Sequence, residues 1–233
     1  MLQPEPAGSR AEQGICARPV VLFDFDGVLV RGDAFSRWLR HRFAIAWWLI
    51  IPLVLMALVT FPAASTLRGR GVIVRWVVTL ALVGLDETTY RVSARECGQS
   101  IARDPRRLSS TALCALKAHR DRGDRVLVVT GCEETLAHSI LEQLGLASIE
   151  LVASRVVQGR LGLRIAVRNV GREKIRQLAL RDIHPLWDVA YSDSPADLPM
   201  LEASRSAVLV NLRGADLARV KTRLGDRSTM VNW

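Results

Sequence analysis

The chain has 233 residues, of which 49% are apolar, and a net charge of +9, enough to bury one sizeable core together with an inserted subdomain. The charge does not point to nucleic acid. Six arginines (Arg37, Arg40, Arg42, Arg68, Arg70, Arg75) and no Asp, Glu or Lys lie between Ala34 and Leu85, where they flank apolar runs and four tryptophans (Trp38, Trp47, Trp48, Trp76), a pattern that suits the boundary between anionic headgroups and hydrocarbon. Residues 1–18 mix Pro, Gly, Gln and Glu without the apolar segment of a signal peptide, which predicts a disordered lead and a catalytic part that stays in the cytoplasm.

The first predicted strand is Val20 to Asp24. It runs out in two carboxylates, Asp24 and Asp26, with Gly27 directly behind them. Successive strand side chains point to opposite faces, but a turn at glycine lets both acids face one cavity, where one can attack and the other can handle a proton.

Residues 33–123 read as an all-helical insertion. Within it Phe43 to Leu67 carries no charge over 25 positions, long enough at about 1.5 Å per residue to cross about 30 Å of hydrocarbon. A single crossing is excluded if Asp24 before it and Thr130 after it share one site. A second apolar helix over 71–85 is short and contains Arg75. The expected arrangement is a helical hairpin that bends at Pro52 or Pro62 and dips into one leaflet; a buried cap helix is the alternative. Arg68-Gly69-Arg70-Gly71 reads as a tight turn or a hinge.

Further strands are predicted at Val126 to Thr130, Ile149 to Ala153, Asp188 to Ser192 and Ala207 to Asn211, and a hairpin or loop between Val156 and Val167. Helices are predicted at Glu133 to Leu144, Arg172 to Leu180, Ala196 to Ala203 and Ala215 to Leu224, with a short terminal strand after the last. The fold class is therefore α/β: a doubly wound, parallel, five-stranded sheet formed by residues 19–32 and 124–233, carrying a membrane-associating helical cap. Its ligands belong at the carboxyl ends of the strands. The four cysteines, Cys16, Cys97, Cys114 and Cys132, are too widely spaced to indicate zinc or a disulfide framework, and Cys132 is given no role.

Val-Leu-Phe-Asp24-Phe-Asp26-Gly-Val, Val-Val-Thr130-Gly, Gly-Arg-Glu-Lys174 and Tyr-Ser-Asp193-Ser-Pro-Ala-Asp197, in that order, resemble the four motifs of the haloacid dehalogenase superfamily. The resemblance is to its phosphoserine-phosphatase-like branch, and within that to the phosphatidylglycerophosphatase C type, whose cap carries an apolar segment. It implies a phosphomonoester hydrolase in which Asp24 attacks phosphorus and Asp26 is the acid and base. Thr130, Gly131 and Lys174 would bind the phosphoryl group. Mg²⁺ would be held by Asp24, Asp193 and the main-chain carbonyl of Asp26, with Asp197 orienting water on the metal. The implied substrate is a membrane lipid, phosphatidylglycerophosphate, at the cytoplasmic face of a bacterial inner membrane, with the anionic membrane surface as partner. Alternatives are another lipid or prenyl phosphate, a soluble ester such as phosphoserine, and a non-enzymatic membrane scaffold. Asp33 is left out of the catalytic set as a helix cap.

Overall fold

The computed structural model describes residues 18–60 and 67–233. The lead expected over 1–18, except its last residue, and the bend expected at Pro62 lie outside them. In chain order, strand β1 (Val20–Phe23) is followed by helices α1 (Ala34–Ile45), α2 (Ile50–Thr60), α3 (Leu67–Leu82), α4 (Glu87–Ala102) and α5 (Ser110–Asp121). Then come β2 (Arg125–Glu133), α6 (Glu134–Gln143), β3 (Glu150–Gly159), β4 (Gly162–Val167), α7 (Arg172–Ala179), β5 (Trp187–Ser192), α8 (Leu198–Glu202), β6 (Ser204–Val210), α9 (Gly214–Leu224) and β7 (Ser228–Val231).

The sheet order is β4-β3-β2-β1-β5-β6-β7. All pairs are parallel except β3 with β4, so the expected five-stranded sheet has seven strands. The two additions are the returning arm of the hairpin and the terminal strand, each too short and too mixed in polarity to read as a covered central strand. Strand alternation divides the core. Val21, Phe23, Val126 and Val128 face one layer, which includes α4 and α6; Leu22, Leu127 and Val129 face the other, with Trp187, Met200 and Leu201. The connections from β1 to β2 and β3 run to one side of β1, and the chain then returns to β5 on the other. Their meeting point is the switch point at which a doubly wound sheet opens a crevice.

The insertion is helical, and within the described residues it bends at Ala46 rather than at Pro52. Pro52 sits in the first turn of α2, where a missing N–H costs no helical hydrogen bond. The break falls at Ala46, whose φ of −102° and ψ of 58° leave the helical region, and α1 meets the 3₁₀ turn Trp47–Leu49 and the start of α2 at 104°. Among the described residues no single helix is long and apolar enough to cross a membrane. Arg68 to Gly71 is neither turn nor hinge, because the backbone there is already part of α3.

Two residues assigned to the membrane boundary are structural instead. Trp38 is buried, stacked on Phe35, with its indole N–H donating to Ser93 Oγ at 2.9 Å. The Arg42 guanidinium donates to the carbonyls of Ala81 and Val83, tying α1 to the end of α3. That end also docks on the β3–β4 hairpin: Gly84 N–H donates to Leu161 O at 2.9 Å, and a Cβ at Gly162 would lie 2.6 Å from both Leu82 O and Gly84 N.

Candidate active site

The acids are placed by the end of β1. Asp24 follows its last residue with a main-chain hydrogen bond to β5 (Asp24 N–H to Tyr191 O, 2.9 Å), and the chain then turns, with the N–H groups of Val28, Leu29 and Val30 all donating to Phe25 O. Gly27 makes the turn possible in two ways. Its φ is +76°, and a Cβ there would fall 1.7 Å from Asp193 Oδ2, so the absent side chain is the space into which Asp193 reaches from the end of β5. Asp24, Asp26, Thr130, Gly131, Lys174, Asp193 and Asp197 all line one cavity of about 580 Å³.

Lys174 is the hub. It lies on the first turns of α7, almost fully buried, and its Nζ donates to Asp24 Oδ1 at 2.9 Å and to Asp197 Oδ2 at 2.7 Å. Asp197 Oδ2 also accepts from Ser192 Oγ at 2.7 Å. Asp24 Oδ1 accepts a second hydrogen bond from Phe25 N–H at 2.8 Å. One oxygen of Asp24 is thus held twice, and among the described residues no donor is paired with Oδ2, which leaves that atom free to act as a nucleophile. Burial raises the Asp24 carboxyl well above the ordinary range, against the pull of Lys174 and reinforced by Asp197. At Lys174 the balance reverses: burial pushes its pKa down, but Asp24 and Asp197 together carry it above the usual lysine value.

Asp26 is the partly buried acid beside this pair. Its Oδ1 accepts from the N–H of Ala34, the first residue of α1, at 2.9 Å. Burial outweighs that bond and, with the nearby Asp33, raises the carboxyl to about 7, where it can give and take a proton near neutrality. Asp33 caps α1, accepting from Ser36 N–H at 2.7 Å, and it also lines the cavity.

The other two phosphate-binding candidates, Thr130 and Gly131, sit on β2. Thr130 Oγ1 accepts from Cys132 N–H at 2.9 Å, which occupies that amide and turns the hydroxyl proton to other partners. Cys132 is buried, and burial raises its thiol well above the ordinary range, so it is a neutral lining group. Glu133 ends β2 and caps α6, accepting from Thr135 N–H and Leu136 N–H.

Sequence reasoning missed the scaffold behind Thr130 and Gly131. Asn169, fully buried, donates through Nδ2 to Thr130 O (3.0 Å) and Val152 O (2.8 Å). Its N–H donates to Ser154 Oγ (2.9 Å), which donates to Gly131 O (2.7 Å). Neither residue belongs to a spacing pattern, and only their position beside the hairpin marks them. Ser192, which in the sequence is only the end of a strand, holds Asp197.

Among the described residues no three His, Cys, Asp or Glu side chains come together as a metal site. The set implied for Mg²⁺ needs only two carboxylates, Asp24 and Asp193, plus the carbonyl of Asp26. The charges fit such an ion: five aspartates and Glu133 line the cavity against Lys174, already shared by two of the aspartates, and the two exposed arginines Arg155 and Arg168, and burial raises Asp193 to about 6. Bound there, Mg²⁺ would offset the repulsion between these carboxylates and an incoming phosphate.

The family model for haloacid dehalogenase-like hydrolases matches residues 21–202. A protein of unknown function from Bordetella pertussis Tohama I superposes with a TM-score of 0.65 at 19% identity, covering 92% of this chain and 98% of the other. Phosphoserine phosphatase in its apo form superposes at 0.56 and 15% identity, with 91% and 92% covered. A phosphoserine phosphohydrolase-like protein from Francisella tularensis gives 0.60 at 10% identity, with 91% and 94% covered.

Proposed function

The chain belongs to the haloacid dehalogenase-like hydrolases, and we propose that it is a phosphatase whose substrate is a phosphomonoester on a membrane lipid, phosphatidylglycerophosphate first among them. In the reaction Asp24 Oδ2 attacks phosphorus, the ester P–O bond breaks, and the proton held by Asp26 passes to the departing alkoxide. The ionised Asp26 then takes a proton from water as its oxygen displaces Asp24 from phosphorus, restoring both acids. Lys174 holds Asp24 Oδ1 throughout and fixes the direction of attack, and the Thr130 hydroxyl donates to a phosphoryl oxygen.

The lipid reading rests on an exposed apolar face of the cap beside the cavity. Trp47 is 66% exposed, Leu55 60%, Ile51 58% and Trp76 54%, with Arg40 and Arg75 exposed among them and no acid in this part of the chain. Immersing one such side chain in hydrocarbon is worth about 1.5–3 kcal/mol, and each arginine near an anionic surface adds about 1 kcal/mol. On α3, Val74 and Val78 line the cavity while Trp76 stands in solvent, so one helix joins the apolar face to the catalytic floor. This suits a site held at the headgroups of an anionic bilayer, on the cytoplasmic side of the bacterial inner membrane. The likeness to phosphoserine phosphatase favours a second reading, a small soluble ester such as phosphoserine.

Phosphate release from phosphatidylglycerophosphate, phosphatidic acid and phosphoserine in mixed micelles with Mg²⁺, with Asp24→Asn as control, separates the two. The lipid reading expects the first substrate to lead. Faster turnover of phosphoserine would reject it, and an active Asp24→Asn protein would reject the nucleophile.

A further inference from the structure

Two arginines of the cavity have no part in the chemistry described so far. Arg155 and Arg168 stand at the base of the β3–β4 hairpin, Arg155 registering with Val167, the residue before Arg168. Both are exposed, and among the described residues neither makes an ion pair or a side-chain hydrogen bond. Several exposed arginines elsewhere do, including Arg91 with Glu87, Arg122 with Asp124 and Arg223 with Glu202.

Their location is fixed by buried neighbours. Ser154, next to Arg155, and Asn169, next to Arg168, are hydrogen-bonded to each other and to the carbonyls of Gly131 and Thr130. The two guanidinium groups therefore project from a frame bolted to the loop that binds the transferred phosphoryl group. Lys174 is committed to Asp24 and Asp197, deeper in the cavity. A substrate with a single phosphate would leave both arginines without an anion. The walls between are apolar, with Phe35 and Val78 from the cap and Val156 and Ile165 from the hairpin.

We infer that Arg155 and Arg168 bind a second anionic group of the substrate, a phosphate separated by a short linker from the one that is cleaved. An arginine fork matches phosphate oxygens in pairs, which a lone ammonium does not. This rests on the phosphatase reading but not on the lipid. It favours a lipid with a phosphodiester next to its terminal phosphate over phosphatidic acid or a prenyl monophosphate.

The test uses soluble substrates, so membrane binding plays no part: glycerol carrying one phosphate, glycerol carrying two, and p-nitrophenyl phosphate. The unaltered enzyme is expected to show a higher kcat/KM for the bisphosphate than for the monophosphate by about 10- to 100-fold, the worth of hydrogen bonds to a charged group. Arg155→Gln/Arg168→Gln should remove that preference, mainly through KM, while turnover of p-nitrophenyl phosphate changes by less than about 3-fold. No preference in the unaltered enzyme, or an equal loss on all three substrates, overturns the inference. Failure to hydrolyse any of them overturns the phosphatase reading itself, whereas a preference for phosphoserine in micelles leaves the arginine test standing.

Discussion

Asp26→Asn should make the metal-free protein more stable while crippling it. In the folded chain burial raises the Asp26 carboxyl to about 7, against about 3.9 for an aspartate in an unfolded chain. The folded state therefore keeps its proton to higher pH. Below about 3.9 the group is neutral in both states and contributes nothing. Between there and about 7 the cost of ionising it in the cavity accumulates, and above that it is constant. Three units correspond to about 4 kcal/mol, an upper figure for a partly buried group. Asparagine carries no charge and can still accept from Ala34 N–H, so it should avoid that cost. Urea unfolding in chelator and non-ionic detergent, followed by tryptophan fluorescence, should show a stabilisation approaching this size at pH 8 and almost none at pH 4, with the slope unchanged. Turnover of an alkyl phosphate should fall by about 10²- to 10⁴-fold. An equal shift at both pH values, or a destabilised variant at pH 8, would refute the placement of Asp26 as a carboxyl with a buried, costly charge.

Gly27→Ala puts a methyl group into the Asp193 carboxylate at a left-handed backbone position, which strains the turn by about 1–2 kcal/mol and displaces Asp193. Activity should drop by at least about 100-fold, and a titration should show weaker Mg²⁺ binding. Lys174→Met leaves Asp24 and Asp197 buried without their cation; about 3–5 kcal/mol of stability should be lost at pH 7 in urea unfolding, and less at pH 4, where Asp24, whose carboxyl burial already raises, takes up a proton.

The convergence of these residues on one cavity was readable because covered parallel strands advertise themselves. Val20 to Phe23 and Val126 to Val129 are unbroken apolar runs, and the polar residues that follow are where a switch-point site must lie. Local chemistry also identified Asp33 as a cap. What failed were inferences about partners distant in sequence. Nothing near Trp38 announces Ser93 as acceptor for its indole N–H, and Arg42 looks like any flanking arginine until its carbonyl partners on α3 are known. Of the two prolines offered as bends, Pro52 is the third residue of α2 and obeys helical geometry, while a break falls at Ala46, which no residue type announces. Asn169 and Ser154 were invisible for the same reason, as their partners come from β2 and β3.

The junction at Gly162 fuses two excursions of the chain that set out from different strands. With Gly84 bonded to Leu161 and no room for a side chain between them, the roof over the floor and the wall that bears Arg155 travel together. Substrate entry cannot consist of the roof swinging away from that wall while the clasp holds. The give must come at their roots, in the linkers that enter and leave the helical insertion and at the register slip beside Arg155. A bulky residue at 162 would then act as a wedge, altering access to a chemical centre it never touches.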